Sequence, residues 1–147
     1  MIQLTKRVEF CAAHRYANPR WSAEENARVF GRCVNLHGHN YVLEVTVQGE
    51  PAPETGMVID LKALKDLILE TVNSRFDHKN LSGDIPELAD TNPTPENLAV
   101  LIWELLAPAL QGCRLARIRL HEDGSTYVDY AGERRAAPSA AGAGHAA

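Results

Sequence analysis

Three histidines stand where extended chain segments can bring them to one point. His37 and His39 flank a single glycine, and in an extended chain residues two apart point the same way, so both can address one ion. Their parity is that of Tyr41, Leu43, Val45 and Val47. His14 shares the parity of Leu4, Val8, Phe10 and Ala12. If the two segments pair antiparallel, the end of the first lies beside the start of the second, and three imidazoles meet at one edge of the core. A lone His-x-His is most often a pair of ordinary surface or core residues, but three histidines converging by independent parity point to a metal site. Three neutral nitrogen ligands suit Zn2+ and leave its fourth position open, the arrangement of catalytic zinc.

Other reactive residues lie near these three in sequence or at the ends of segments. Cys33 precedes His37 by four residues. As a fourth ligand it would close the site and make it structural. As a free thiolate it would be a base or nucleophile, and a third reading is an inert thiol. Cys11 and Cys113 read as structural thiols. Asp77-His78 joins a carboxylate to an imidazole, a pair able to relay protons if it faces a thiol. Glu122 ends a segment with the parity of Ile118 and Leu120, so it either caps a turn or faces a pocket. Ser22 to Asn26 reads as a short capped helical turn with solvated charges.

The elements that must position these residues follow from periodicity. Residues 2–14 and 39–48 alternate apolar and polar side chains and predict two strands. Asp60 is a plausible N-cap for a helix to about Asn73, with Leu61, Leu64, Leu67, Ile68 and Val72 as its apolar stripe. Residues 77–93 read as a loop. Thr94 as N-cap, Pro95 at the first helical position and Glu96 in the first turn open a second helix, which ends before Pro108 and Gly112. Residues 114–121 and 126–131 predict two more strands around the Asp123-Gly124 turn, the third strand setting Arg117, Arg119 and His121 against Ala116, Ile118 and Leu120. The order predicts an α+β domain: a four-stranded antiparallel sheet with two helices packed on one face. Its other face is polar, and either meets bulk water or lines a wet interior.

With 147 residues, 45% hydrophobic and 23% charged, the chain suits one core, expected over residues 1–134. Residues 135–147, rich in Ala and Gly, are expected to be a disordered tail in which His145 plays no part. The formal charge of −4 argues against nucleic-acid partners. No apolar run of about 18 residues suggests a membrane span, and the N-terminus lacks the apolar stretch of a signal peptide. Three scattered cysteines fit free thiols and a cytoplasmic location.

Six stretches carry a resemblance to a known family: Phe10 to His14 (FCAAH), Cys33 to Tyr41 (CVNLHGHNY), Thr55 to Leu64 (TGMVIDLKAL), Asp77 to Leu81 (DHKNL), Pro93 to Ala99 (PTPENLA), and His121-Glu122. In order and spacing, over about residues 4–134, they resemble the 6-pyruvoyl-tetrahydropterin synthase and 6-carboxytetrahydropterin synthase family. The resemblance implies the tunnelling fold and Zn2+ held by His14, His37 and His39. It implies Cys33 as the catalytic thiol, with Asp77 and His78 completing a proton relay. Glu122 is implied as the carboxylate that anchors the pterin, with Thr94 and Glu96 near the pocket. The implied assembly is a homohexamer of two stacked trimers with active sites between subunits, and the implied substrate is 7,8-dihydroneopterin triphosphate. Arg15, Arg32 and Lys79 flank the motifs, but nothing in the sequence selects among them as triphosphate partners.

Two departures bear on the product. Position 11 is cysteine where the family more often has serine. Three residues separate Cys33 from His37, a spacing similar to the carboxytetrahydropterin branch, whereas SAEENARVFGRC and ENLAVLIWELL look like the pyruvoyl branch. On the cysteine spacing the expected product is 6-carboxy-5,6,7,8-tetrahydropterin, with release of acetaldehyde and triphosphate. The alternative is 6-pyruvoyl-tetrahydropterin, and a different class altogether is a non-catalytic zinc or pterin-binding module with Cys33 as fourth ligand.

Overall fold

Alternation along the first segment becomes strand β1 (Ile2–His14) in a computed structural model that describes residues 1–132. The expected tail at 135–147 lies outside the described residues. Strand β1 pairs antiparallel with β2 (His37–Gly49) along its whole length, from Ile2 opposite Gly49 to His14 opposite His37. Val8, Phe10, Ala12 and His14 on β1 and Tyr41, Leu43, Val45 and Val47 on β2 are buried on one face. Between the two strands lies helix α1 (Ala23–Phe30), capped by the Ser22 hydroxyl, which accepts from Glu25 N–H. It is longer than the expected turn, and none of its residues is buried.

Helix α2 (Leu61–Ile68) begins where Asp60 accepts from the N–H groups of Lys62 and Ala63. It does not run unbroken to Asn73. A π-helical turn at Leu69–Asn73 leads into α3 (Ser74–Phe76), and the wider turn carries Val72 and Phe76 after Leu64 and Ile68 into the core. Helix α4 (Pro95–Leu106) starts as expected, with the Thr94 hydroxyl accepting from Asn97 N–H, and buries Leu98, Ala99, Leu101, Ile102 and Leu106. Each large aliphatic side chain removed from water there contributes about 1.5–3 kcal/mol. Three helices, α2, α3 and α4, therefore cover the apolar face where two were expected, because the π-helical turn divides the first.

Strands β4 (Arg114–His121) and β5 (Tyr127–Tyr130) complete an antiparallel run beside β2. The sheet has five strands, not four, in the order Lys79–Asn80, β1, β2, β4, β5. The addition is β3 (Lys79–Asn80), which lies parallel to β1 at Ala12 and Ala13, inside the expected loop. Two residues are too few to show alternation, so the sequence carried no sign of it. The register also shifts between Thr46 and Val47, which face Arg117 and Leu115 and leave Ala116 unmatched. That bulge resets the strand's phase, placing Leu115 with Ile118 and Leu120 in the core, where alternation predicted Ala116.

The opposite face carries polar groups paired with one another. Thr5 and Thr46 hydroxyls are 2.8 Å apart, and Arg119 donates twice to Asp129 while its guanidinium sits over the Tyr127 ring. The outer edge of β1 from Ile2 to Cys11 and the outer edge of β5 have no strand partner among the described residues.

Candidate functional site

Register builds the histidine cluster. His14 lies directly across from His37, and His39 faces Ala12, whose methyl leaves room for an imidazole. Gly38 between them passes so close to β1 that a Cβ would sit 3.3 Å from the Ala12 carbonyl oxygen. Ring centroids are 4.6 Å apart for His14 and His37, 5.0 Å for His14 and His39, and 5.1 Å for His37 and His39. One nitrogen from each ring lies within 4.8 Å of the others.

The rings are also oriented from behind. His14 Nδ1–H donates to the Pro93 carbonyl at 2.8 Å, with the Tyr41 hydroxyl 3.3 Å from the same nitrogen, and His37 Nδ1–H donates to the Asn35 carbonyl at 2.7 Å. A carbonyl can only accept, so these contacts put the proton on Nδ1 and leave Nε2 with its lone pair in the neutral ring. His14 is fully buried. Burial pushes its pKa down to about 4, the Pro93 hydrogen bond opposing and His37 and His39 adding, so it is neutral at ordinary pH.

That neutrality creates a conflict which a cation resolves. The Nε2 atoms of His14 and His39 are buried without a hydrogen-bond partner. Glu122 Oε1 stands 3.4 Å from the first and 3.5 Å from the second. A lone pair facing a carboxylate oxygen is repulsive unless something positive lies between. Three imidazole donors, two of them oriented by backbone carbonyls, fit zinc, whose histidine ligands characteristically donate their other N–H to a carbonyl or carboxylate. Tyr16, which sequence reasoning missed, completes the wall: its ring lies 5.0 Å from His14 and its hydroxyl donates to Glu122 at 3.5 Å. It shares the parity of His14 but lies beyond the strand's end, where parity ceases to predict direction. Burial first, then the Glu122 charge, hold its phenol well above the ordinary tyrosine range.

Cys33 lies beside this cluster but is not one of its converging groups. Its carbonyl accepts from Tyr16 N–H at 2.8 Å, and it lines a hollow with Arg32, Asn35 and His37. Asp77 and His78 sit elsewhere, at the outer edge of β1. Asp77 Oδ1 accepts from Cys11 N–H at 2.9 Å and is 3.0 Å from His78 Nδ1. The Cys11 N–H bond first, with His78 adding, holds the Asp77 carboxyl below the usual range. His78 has φ 60°, in the left-handed region, and its N–H donates to the Cys11 carbonyl at 2.6 Å. Among the described residues no hydrogen bond or ion pair joins Cys33 to Asp77 or His78, so one chain brings together the histidines, Glu122 and Tyr16 but not the thiol and its expected relay.

The remaining candidates are peripheral to this geometry. The Thr94 hydroxyl is engaged in capping α4, next to the Pro93 carbonyl that holds His14, and Glu96 is exposed in the same turn. Arg15, Arg32 and Lys79 are all exposed.

A sequence profile of the family described as 6-pyruvoyl tetrahydropterin synthase matches residues 3–133. The chain is 41% identical over 132 residues to a 6-pyruvoyl tetrahydrobiopterin synthase of Dictyostelium discoideum, across 90% of this chain and 97% of that one. It is 43% identical over 133 residues to the Homo sapiens protein of that name, across 89% and 92%. To a 6-carboxy-5,6,7,8-tetrahydropterin synthase of Rickettsia typhi it is 29% identical over 147 residues, across 88% and 99%. The solved 6-pyruvoyl tetrahydropterin synthase of Caenorhabditis elegans superposes with a TM-score of 0.84 at 33% identity, covering 90% of this chain and 96% of that one.

Proposed function

This chain belongs to the 6-pyruvoyl tetrahydropterin synthase family, whose members are enzymes, and on that premise we propose that it is a zinc-dependent lyase converting 7,8-dihydroneopterin triphosphate to 6-pyruvoyl-tetrahydropterin with loss of triphosphate. The observation that carries the reading is the buried His14 Nε2 lone pair facing the Glu122 carboxylate, with the unpartnered His39 Nε2 buried beside it. The carboxy product expected from the Cys33–His37 spacing gives way to the pyruvoyl one. That spacing is the length of a single loop, whereas identity along the whole chain is 41% and 43% to the pyruvoyl relatives and 29% to the carboxy relative.

His14, His37 and His39 would hold the zinc. Bound there by neutral ligands, zinc supplies a positive charge that acidifies a substrate hydroxyl and stabilises enolate-like charge. The chain's own residues do the rest. The Cys33 thiolate removes a carbon-bound proton, and His78, steadied by Asp77, carries protons at a second position. Glu122 accepts two donors from the guanidine-like edge of the pterin, a role suited to a half-buried carboxylate with no lysine or arginine partner among the described residues. Thr94 and Glu96 border the pocket. The 3.4 Å approach to His14 favours a second role for Glu122, as the oxygen neighbour of the cation. In Glu122→Gln, loss of turnover with zinc retained supports the anchor, and loss of zinc supports the ligand.

The working unit we propose is a homohexamer of stacked trimers. Two unpaired strand edges and a polar sheet face suit a ring of copies around a wet interior, and the separation of Cys33 from Asp77-His78 within one chain suits a relay completed across a subunit boundary. The decisive experiment is mass spectrometry of the zinc-loaded protein incubated with 7,8-dihydroneopterin triphosphate, with acetaldehyde measured in parallel. A pyruvoyl product without acetaldehyde is expected. Acetaldehyde with a carboxy product would restore the alternative, and untouched substrate would end the enzyme reading.

A further inference from the structure

A second cluster of ligating groups lies at the edge of β1, where Cys11 has the opposite strand parity to His14. Cys11 Sγ is 3.6 Å from His78 Nδ1, Asp77 Oδ1 is 3.0 Å from the same nitrogen, and all three atoms lie within 4.8 Å of one another. Both contacts end on one ring nitrogen. A relay through an imidazole needs its two partners on opposite nitrogens, so thiol, ring and carboxylate in this arrangement do not form a nucleophile–base–orienter chain. Convergence of S, O and N on one point is instead the pattern of ligands around an ion.

The dimensions agree. With bonds of about 2.3 Å to sulfur and 2.0–2.1 Å to nitrogen, the N···S edge of a tetrahedral zinc site is about 3.6 Å, and the N···O edge about 3.4 Å. The first matches the observed spacing, and the second exceeds it by a few tenths of an ångström. The backbone of Cys11 clamps the other two ligands: its N–H holds Asp77, and its carbonyl accepts from His78, which fixes that residue at φ 60°. In the single chain His78 is 79% exposed, and Cys11 and His78 border an open hollow of about 470 Å³ that Asn40, Lys79, Asn80 and His39 also line, so an ion can enter.

We propose that Cys11, Asp77 and His78 form a second site for a zinc-class divalent cation, separate within the chain from the three-histidine centre. Its occupancy withdraws His78 from proton transfer, so excess metal inhibits the enzyme. The inhibitory consequence, though not the site itself, rests on the role given to His78 above.

The test starts from protein carrying one equivalent of zinc, dialysed against rising zinc, with bound metal measured by mass spectrometry and turnover measured in parallel. The wild-type chain is expected to take up a second equivalent and to lose activity as it does so. Cys11→Ser is expected to stop at one equivalent, retain its basal activity and resist excess zinc, because a neutral hydroxyl is a far poorer ligand than a thiolate. Asp77→Asn should also lose the second equivalent. Cobalt added as the second metal should give a thiolate charge-transfer band that Cys11→Ser abolishes and Cys33→Ala keeps. A wild-type chain that stops at one equivalent, or a Cys11→Ser chain that binds the second as well, overturns the proposal. So does a band that follows Cys33. Inactivity at one equivalent would count against the catalytic reading alone, since the second stoichiometry is still measured.

Discussion

The histidine end of the sheet and the Asp77-His78 edge hold similar groups by opposite means. His14, His37 and His39 project from two long strands whose register is fixed by 13 residue pairs, and two of the rings are oriented by backbone carbonyls. Asp77 and His78 hang on a two-residue strand, with one residue in a left-handed conformation and both ordered by the backbone of Cys11. Groups that must hold a small ion share the rigidity of the core. Groups proposed to carry protons between partners sit on a short edge element held by the backbone of one neighbour. The contrast teaches that stability and activity should respond separately at the two places.

The largest expected effect tests the rigid end. His39→Ala removes a ligand without emptying the core, and bound zinc and turnover should both fall by at least about 100-fold, beyond the 10–100-fold typical of losing a ligand's supporting contact. Metal content and activity of the purified variant check this, and full activity with normal zinc would remove the histidines from the mechanism. Next, Cys33→Ala should lower turnover by about 10²–10⁴-fold while zinc stays bound. Loss of zinc instead would make Cys33 a fourth ligand and the module structural.

A smaller effect concerns acid. Folding holds the His14 pKa near 4 against 6.5 for an ordinary histidine, so below pH 6.5 the unfolded chain binds a proton that the folded chain refuses. The metal-free protein should therefore lose stability as pH falls from 6.5 to 4, by up to about 3 kcal/mol, and this contribution should be flat above 6.5. Urea denaturation across that range measures it, and His14→Gln should flatten the slope. The smallest effect belongs to the short edge. His78→Gly should relieve the left-handed strain and leave stability unchanged or raised by about 1 kcal/mol while turnover drops. A large loss of stability there would show that the edge is as integral to the fold as the histidine end.

Much of the rigid end was legible because period-two alternation over long segments fixes which way each side chain points. Parity alone brought His14, His37 and His39 to one place, while it left Glu122 either capping a turn or facing a pocket. The caps Asp60 and Thr94 were legible for a related reason, since each acts on N–H groups two or three residues away. What escaped were features that depend on distant partners. The pairing of β3 is written in the free edge of β1, the bulge at Ala116 in the register of β2, and the contact of Cys11 with His78 in a span of 67 residues. The break in the first helix escaped because a π-helical turn leaves an apolar stripe nearly unchanged. The product reading shifts for another reason: the Cys33–His37 spacing is the length of one loop, whereas identity to the pyruvoyl relatives is spread over the chain.

The hydrogen bond from His14 to Pro93 joins residues 79 apart in sequence. It ties the ring's tautomer to the docking of the loop before α4. If these histidines hold zinc as proposed, the orientation of one ligand ring depends on a loop 79 residues away. Affinity for the ion is then a property of the whole fold. Any change that loosens the loop before α4, however far from the histidines in sequence, should speed the release of metal before it unfolds the protein.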